Sequence, residues 1–283
     1  MLSRFQYFKP HNLNEAVQYL DKEANSFVLA GGTDLMILLR RNVINAEHIV
    51  DIKALPETGV FEYTEGTGLK IGAAVVVNRV VDSEVVNSRY RALHQAAASL
   101  ASFQLRNRAT VVGNICNASP GADLPPALLV YDAVVNIAGP QGTRQVPLHQ
   151  FFTGVKRTVL QHGELVVSVE LPESGEGDKS IYLRQARLRG HDLATVGVAA
   201  RVKPDGKVAI GIAAVAPTPL RLFALEDQIN ARGLSQETIE WAAEEVKEHI
   251  HPITDVRSSA AYRLQMASVL LKRCLLALIA KED

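Results

Sequence analysis

The stretch VLAGGTDLMILLRR, residues 28–41, joins two apolar runs through a pair of glycines, Gly31 and Gly32. The run before the glycines, Ser26 to Ala30, predicts a buried strand, and the run after them predicts a helix. Such a corner leaves unpaired N–H groups at the helix N-terminus, with no Cβ atom to hold a ligand away. It therefore predicts an anion site suited to phosphate; the alternative is a turn in which the glycines only permit positive φ.

The predicted helix after the corner has its apolar positions at Leu35, Leu38 and Leu39, and Thr33 or Asp34 can cap it. The corner differs from the common nucleotide-binding fingerprints, because neither GxGxxG nor a Walker motif occurs in the chain.

The length and composition of the chain limit its class. A chain of 283 residues, 47% of them hydrophobic, favours two domains or one lobed domain. Lys+Arg and Asp+Glu both total 30, so the formal net charge is zero. This balance argues against a nucleic-acid-binding protein that works by neutralising phosphates.

The two cysteines, Cys116 and Cys274, are far apart and form no CxxC motif. That pattern excludes a disulfide framework, a zinc site built on cysteines and an iron–sulfur cluster held within this chain. The histidines also lack metal-ligand spacing, so we expect no metal site in this chain.

The chain shows no targeting or membrane segment. The N-terminal MLSRFQYFKP lacks the apolar core of a signal peptide. The most apolar late stretch, Met266 to Ala280, is too short to span a bilayer and contains Lys272 and Arg273. Together with the sparse use of cysteine, this predicts a cytoplasmic protein without a membrane span.

The first part of the chain alternates predicted strands and helices. A helix is predicted over 12–21, with Asn12 as N-cap, and another over 90–100. Further strands are predicted over 47–52, 69–74, 134–138 and 164–171. Residues 103–133 are predicted to form a long functional loop. Residues 172–180, PESGEGDKS, form the clearest linker. We therefore expect one domain over residues 1–172 and a second over residues 180–283.

The second domain is predicted to be α+β, a small antiparallel sheet with helices packed on it. Apolar runs over 194–202 and 207–215 flank Lys203-Pro204-Asp205-Gly206, which predicts a hairpin. The predicted helices cover 223–232, 236–250 with Ser235 as N-cap, and 258–281.

A second glycine-containing polar loop, Thr110-Val111-Val112-Gly113-Asn114, follows a strand-like run. One such loop would mean little by itself. Two of them in one domain, without a dinucleotide fingerprint, indicate a long diphosphate ligand held from two elements.

The motifs AGGTDL, residues 30–35, and TVVGNICNASPGADLPPALL, residues 110–129, resemble those of the FAD-binding subunit of molybdenum hydroxylases. This subunit is the medium chain of xanthine dehydrogenase, carbon monoxide dehydrogenase and related bacterial enzymes. The similarity continues in order through LKIGAA, GELVVSVELP, YLRQARLRGHDLATVGVAA, AVAPTPLR and RSSAAYRLQMASVLLKR, so it covers nearly the whole chain.

The resemblance implies an α+β fold: a two-lobed FAD-binding domain of the vanillyl-alcohol-oxidase (PCMH) type, followed by a small C-terminal α+β domain. It also implies FAD-binding residues in several segments. These are Phe27, Val28, Leu29, Ala30, Gly31, Gly32, Thr33 and Asp34 at the pyrophosphate; Thr110, Gly113 and Asn114 in the second loop; Ser119 and Asp123 at a phosphate or sugar hydroxyl; Leu165 and Val166 at the adenine end; and Arg184 close to the flavin ring. The pair His191-Asp192 falls in a loop that the family places near the flavin.

Val112 departs from the family, which usually has two glycines in the second loop. A branched side chain disfavours positive φ and close approach of the backbone. Either this peptide lies further from the ligand, or FAD binds more weakly than is typical.

The resemblance further implies an electron-transfer oxidoreductase subunit. FAD would lie in this chain, [2Fe–2S] clusters in a small partner subunit and molybdopterin in a large one. Electrons would reach FAD from a cluster and leave to NAD⁺, O₂ or a quinone, and no residue of this chain is nominated as catalytic. Two alternatives are an assembly subunit that has lost FAD and a stand-alone flavin oxidase.

Overall fold

The computed structural model describes residues 4–188 and 192–280. In chain order the strands are β1 (Gln6–Phe8), β2 (Ser26–Leu29), β3 (His48–Asp51), β4 (Phe61–Thr64), β5 (Gly68–Gly72), β6 (Val134–Gly139), β7 (Gly142–Pro147), β8 (Phe152–Gly154), β9 (Arg157–Thr158), β10 (Leu165–Pro172), β11 (Lys179–Gln185), β12 (Val196–Val202), β13 (Val208–Ala213) and β14 (Leu220–Arg221). The helices are α1 (Leu13–Lys22), α2 (Leu35–Arg40), α3 (Pro56–Gly59), α4 (Val77–Val81), α5 (Glu84–Arg89), α6 (Arg91–Ser99), α7 (Phe103–Arg106), α8 (Val111–Cys116), α9 (Leu124–Val130), α10 (Leu148–Phe151), α11 (Phe223–Arg232), α12 (Gln236–Glu245) and α13 (Ala260–Ile279).

The part of the chain before residue 173 forms two larger sheets of different type and a two-stranded antiparallel sheet of β8 and β9. A three-stranded parallel sheet has the order β1-β3-β2, and a five-stranded antiparallel sheet has the order β4-β5-β10-β6-β7. The predicted helix over 12–21 is confirmed as α1, and the Asn12 side chain accepts a hydrogen bond from Glu15 N at 2.9 Å. This cap satisfies one of the N–H groups that a helix start leaves unpaired.

Strand β2 is apolar on both faces because each face packs on a different core. Val28 packs against the main core of the first part of the chain. Phe27 and Leu29 pack against a small cluster formed by Leu39 and Ile49, among others. Successive side chains of a strand point to opposite faces, so packing on both faces favours a continuous apolar run. The prediction of a strand is confirmed, but the prediction that it is buried is wrong, because each residue of β2 is only partly buried.

The predicted antiparallel sheet with helices packed on it is confirmed in the second part of the chain. Its strand order is β11-β12-β13-β14, and α13 and α11 lie against it. The predicted hairpin is confirmed, with Lys203 N donating to Lys207 O at 2.9 Å. The predicted cap at Ser235 is also confirmed, since its side chain accepts a hydrogen bond from Thr238 N.

The same sheet is covered on its other face by the first part of the chain. Val198 and Ala200 belong to the core of the second part, whereas Ala199 and Ala209 belong to the main core of the first. Helices α6 and α9 lie against β11 and β13 respectively. Both faces of the sheet are therefore buried, which explains why β13, and β12 apart from the ion-paired Arg201, are apolar instead of alternating.

The prediction of a long loop over 103–133 is wrong, because this segment contains α7, α8 and α9. Much of it is buried, and every residue of α9 is buried. Buried backbone groups must find hydrogen-bond partners, and short helices supply them locally. Ser102 begins α7 by accepting a hydrogen bond from Leu105 N at 3.3 Å. Proline at the start of α9 suits a first helical turn, which needs no N–H donor.

The helix predicted over 236–250 is shorter than expected. The α-helix ends at Glu245, and Val246–His249 continue as a single 3-10 turn. Among the described residues, no helix combines the length and the apolar character that a membrane crossing would need.

Candidate functional site

A cavity of about 720 Å³ is lined by the two predicted loops and by the start of β10. Its volume lies in the range of small-molecule and cofactor sites, roughly 300–1,000 Å³. The structure brings most of the predicted site residues together in its wall: Phe27, Val28, Ala30, Gly31, Gly32, Thr33, Asp34, Thr110, Gly113, Asn114, Ser119, Asp123, Leu165 and Val166.

Leu29 and Arg184 are the two predicted residues that do not line this cavity. The side chain of Leu29 packs with the small cluster behind β2. Arg184 lies behind Asp123, because its Nη1 donates to both carboxylate oxygens of Asp123 at 3.2 Å and to the backbone oxygen of Asp192 at 3.1 Å. Arg184 can therefore affect the cavity through Asp123, and it lines a second, neighbouring cavity.

The first loop, residues 30–34, carries a row of unpaired backbone donors. None of the N–H groups from Gly31 to Leu35 has a hydrogen-bond acceptor among the described residues. The predicted side-chain cap is wrong, because Asp34 makes no capping bond and instead accepts from Asn117 Nδ2 at 2.9 Å. The N-terminal donors of α2 thus remain available to a ligand.

Glycine is required at the two positions of the first loop for different structural reasons. Gly32 has φ 74°, the positive value that the turn interpretation expects. Gly31 does not have a positive φ, but a Cβ atom on it would lie 2.1 Å from the backbone oxygen of Arg108. Gly31 therefore lets the backbone of the first loop touch the backbone just before the second loop.

The second loop, Thr110 to Asn114, begins helix α8. The Thr110 side chain accepts a hydrogen bond from Gly113 N at 2.9 Å, and Asn114 N donates to Thr110 O at 3.0 Å. Val112 lines the cavity, and its N–H has no acceptor among the described residues. Its backbone is helical and its side chain is buried in the main core, so this position needs no glycine.

Asn114 supplies an independent sign that the cavity holds a polar ligand. Its Oδ1 atom is buried and has no hydrogen-bond partner among the described residues. A buried acceptor without a donor is costly, and a hydroxyl group of a bound molecule would satisfy it. Apolar side chains, among them Leu38, Ile52 and Leu105, cover other parts of the wall. Unpaired donors, one orphan acceptor and apolar walls together fit a molecule with a diphosphate, sugar hydroxyls and flat rings, as FAD has.

Three of the four acidic side chains of the cavity wall form ion pairs with arginines that do not themselves line the cavity. Burial raises the pKa of Asp123, although the Tyr182 hydroxyl donates to it at 2.8 Å and Arg184 opposes the shift. The hydrogen bonds from Arg144, at 2.7 Å, lower the pKa of Glu164.

Asp192 lines the cavity at its edge, next to the gap in the described residues. The hydrogen bond from Arg187 lowers the pKa of Asp192, and the pair is separated by 2.8 Å. His191, which the resemblance places beside the flavin, lies outside the described residues.

Three polar residues of the wall, Lys156, Asn117 and Glu164, are not among the residues predicted from the sequence. Lys156 Nζ donates to Asn117 Oδ1 at 2.7 Å, and Asn117 in turn contacts Asp34. Burial lowers the pKa of Lys156. No pattern in the sequence marks these residues, because their relation depends on contacts between distant segments.

The chain matches two family models along most of its length. These are an FAD-binding domain in molybdopterin dehydrogenase over residues 3–174 and a CO dehydrogenase flavoprotein C-terminal domain over residues 181–278. These matches confirm the expected combination of an FAD-binding domain and a small C-terminal domain.

Similar proteins are known by sequence and by structure. The chain is 33% identical over 278 residues to the carbon monoxide dehydrogenase medium chain of Hydrogenophaga pseudoflava, covering 96% of each. It is 32% identical over 274 residues to the xanthine dehydrogenase FAD-binding subunit of Escherichia coli O157:H7, covering 94% of this chain and 93% of that one. The solved carbon monoxide dehydrogenase of Hydrogenophaga pseudoflava superposes with a TM-score of 0.93 at 32% identity over 98% of both chains. We conclude that the chain belongs to the family of FAD-binding medium subunits of the xanthine and carbon monoxide dehydrogenases, which are oxidoreductases.

Proposed function

We propose that this chain is the electron-transfer subunit of a molybdenum hydroxylase complex, receiving electrons from an iron–sulfur partner and passing them to NAD⁺ or another acceptor. One observation carries the proposal. The unpaired N–H groups of Gly31 to Leu35 and of Val112, and the orphan oxygen of Asn114, belong to residues that line one cavity. When bound there, FAD supplies the redox chemistry, and the protein supplies orientation and access.

The residues of the cavity have separate tasks in this proposal. The N–H groups of the first loop and of Val112 would bind the pyrophosphate, because both lie at helix N-termini. Asn114, Ser119 and Asp123 would contact sugar hydroxyls. The start of β10, Leu165 and Val166, would lie against the adenine, and the apolar wall would exclude water.

Arg184 and Leu29 would act indirectly. Arg184 holds Asp123 from behind, and Leu29 supports the turn at Gly32, whose added Cβ would approach Leu29 Cδ1 to 2.9 Å.

The proposed partners are a small subunit with [2Fe–2S] clusters and a large subunit with molybdopterin. The solved relative from Hydrogenophaga pseudoflava is described as lacking the Mo-pyranopterin moiety of its molybdenum cofactor, and another solved relative is described as a Cu,Mo carbon monoxide dehydrogenase. We further propose that residues 1–172 and 180–283 are the two domains and that the protein is cytoplasmic. Within the described residues, no three His, Cys, Asp or Glu side chains lie close enough to hold a metal ion.

The two alternatives are less well supported by the geometry. An assembly subunit that had lost FAD would have no use for two sets of unpaired donors around one cavity. A flavin oxidase that deprotonates its own substrate needs a free base. Of the four carboxylates that line the cavity, Asp123, Glu164 and Asp192 are each ion-paired with an arginine, and Asp34 accepts a hydrogen bond from Asn117.

The proposal is tested by purifying the full chain in the dark and measuring its absorption spectrum and the FAD released on denaturation. We expect flavin bands and stoichiometric FAD. The Gly32→Val variant should lose the flavin while circular dichroism shows a folded chain, because a branched residue is strained at φ 74°. A colourless wild-type protein would contradict FAD binding. Bleaching of the isolated chain by an organic substrate would instead indicate a stand-alone oxidase.

A further inference from the structure

The charges of the cavity wall are unbalanced. Among the described residues that line the cavity, the acidic side chains are Asp34, Asp123, Glu164 and Asp192, and the one basic side chain is Lys156. The arginines that pair with three of these acids do not line the cavity themselves. A diphosphate adds further negative charge, so any cation that lines the wall matters for its binding.

Lys156 is held at the cavity by contacts to two other segments. It lies in the turn between β8 and β9, and its backbone N–H donates to Ala118 O at 3.0 Å. Its Nζ donates to Asn117 Oδ1 at 2.7 Å, and Asn117 Nδ2 donates to Asp34 Oδ1 at 2.9 Å. These contacts thus connect Lys156, through Asn117 at the C-terminal end of α8, to Asp34, two residues after Gly32.

The ammonium group of Lys156 is only partly satisfied by these contacts. It carries three donors, and the hydrogen bond to Asn117 uses one of them. Asn117 is neutral, and Asp34 acts on Lys156 only through space. Lys156 is an exposed residue at the rim of the cavity, so its other two donors are open to solvent or to a ligand. Partial desolvation lowers the pKa of Lys156, and the charge of Asp34 opposes this shift.

We propose that Lys156 binds the pyrophosphate of FAD as its cationic partner and that Asn117 holds the ammonium group beside the glycine loop. This inference rests on the proposed FAD-binding function and adds to it a charge that the glycine loops lack. Backbone N–H groups carry only partial charge, whereas a lysine supplies a full one. Lys156 is a binding residue in this proposal and takes no part in electron transfer.

The test compares variants of the full chain after removal of the flavin, by titration with FAD at low and high salt. Lys156→Met should weaken FAD binding about 10-fold, because a charge-assisted hydrogen bond is lost. It should also reduce the salt dependence of the dissociation constant, since one ionic contact is gone. Lys156→Arg should retain most of the affinity and the salt dependence. Asn117→Ala keeps the Lys156 ammonium group but removes the oxygen that positions it. This variant should lose less FAD affinity than Lys156→Met.

The matched control is Lys70→Met, which removes a lysine that pairs with Glu170 at 2.9 Å and does not line the cavity. It should leave FAD binding unchanged. The phosphorus NMR signals of bound FAD report contact directly, and Lys156→Met should shift them while Lys70→Met should not. Circular dichroism confirms that each variant is folded.

Two results would overturn the inference. One is unchanged FAD affinity in Lys156→Met. The other is weaker binding with unchanged salt dependence and unchanged phosphorus signals, which would show that Lys156 only shapes the cavity. A wild-type chain that binds no FAD at all would contradict the proposed function instead, so the two failures are distinguishable.

Discussion

The two loops of the cavity leave backbone donors unpaired by different means. In the first loop, Gly31 touches the backbone of Arg108 and Gly32 adopts φ 74°. In the second loop, the Thr110 side chain caps α8 and the Val112 side chain is buried in the main core. One loop is shaped by the absence of side chains, and the other is anchored by their presence.

This difference explains the departure at Val112. A glycine is required where the backbone lies against another backbone or adopts positive φ. A helix N-terminus whose first turn is packed into a core meets neither condition, so a valine is compatible with unpaired N–H groups. We therefore expect substitutions in the first loop to affect both stability and flavin binding, and substitutions in the second loop to affect mainly stability.

The largest effect is expected for Gly31→Ala. The added Cβ would lie 2.1 Å from the Arg108 backbone oxygen, so the two loops must separate. We expect a loss of about 3 kcal/mol or more in the free energy of unfolding, and loss of flavin. Urea unfolding of the flavin-free chain measures the first and released FAD measures the second. Gly59→Ala is the control, because nothing lies within 4 Å of its added Cβ. Stability like that of the wild type in Gly31→Ala would show that the loops are not in contact.

The next effect is expected for Val112→Gly, which introduces the glycine usual in the family. The variant loses a side chain that is 3% exposed and places glycine in a helix. We expect the free energy of unfolding to fall by roughly 2–3 kcal/mol, and we expect no tighter FAD binding. Urea unfolding and FAD titration check the two parts. Val43→Gly, at an exposed position, is the control. Tighter FAD binding in Val112→Gly would contradict the idea that the valine anchors the loop.

A smaller effect is expected for Thr110→Val, which removes the hydroxyl that accepts from Gly113 N. The loss of an N-cap costs about 1 kcal/mol of stability. Thr110→Ser retains the hydroxyl and should lose less. Equal losses in the two variants, measured by urea unfolding, would show that the methyl group and not the cap is important.

The last prediction concerns reactivity and leaves stability unchanged: it applies to the Cys116 thiol at the end of α8, which lines the cavity, and to Cys274. Burial raises the pKa of Cys116 to about 12, and the same cause raises the pKa of Cys274 to about 12. The thiolate is the reactive form, so both cysteines should react with iodoacetamide at pH 8 roughly a thousandfold more slowly than an unperturbed cysteine. Mass spectrometry of the labelled protein follows the reaction, with urea-unfolded protein as the reference. Fast labelling of folded Cys116 would contradict its raised pKa.

Features that depend on local chemistry could be predicted from the sequence. The Asn12 and Ser235 caps, the hairpin at Pro204-Asp205-Gly206 and the donors at the glycine corner each depend on a few neighbouring residues. The family resemblance extended this local information to 14 of the 34 residues that line the cavity.

Features that depend on distant packing could not be predicted. The segment over 103–133 has the glycine, asparagine and proline content of a loop, yet its burial makes three short helices the better way to pair its backbone. Strand β11, KSIYLRQ, lacks a clear apolar pattern and is held by its pairing with β12.

By itself, the sequence determined where glycines, helix caps and turns occur and therefore where the two proposed ligand loops lie, because these features act over a few residues. Only the tertiary structure decided what each of these residues meets. Gly31 lies against Arg108, Val112 is anchored in the core, and Lys156 reaches Asn117. These contacts join segments far apart in the chain, so they follow from the packing of the whole domain and leave no local pattern.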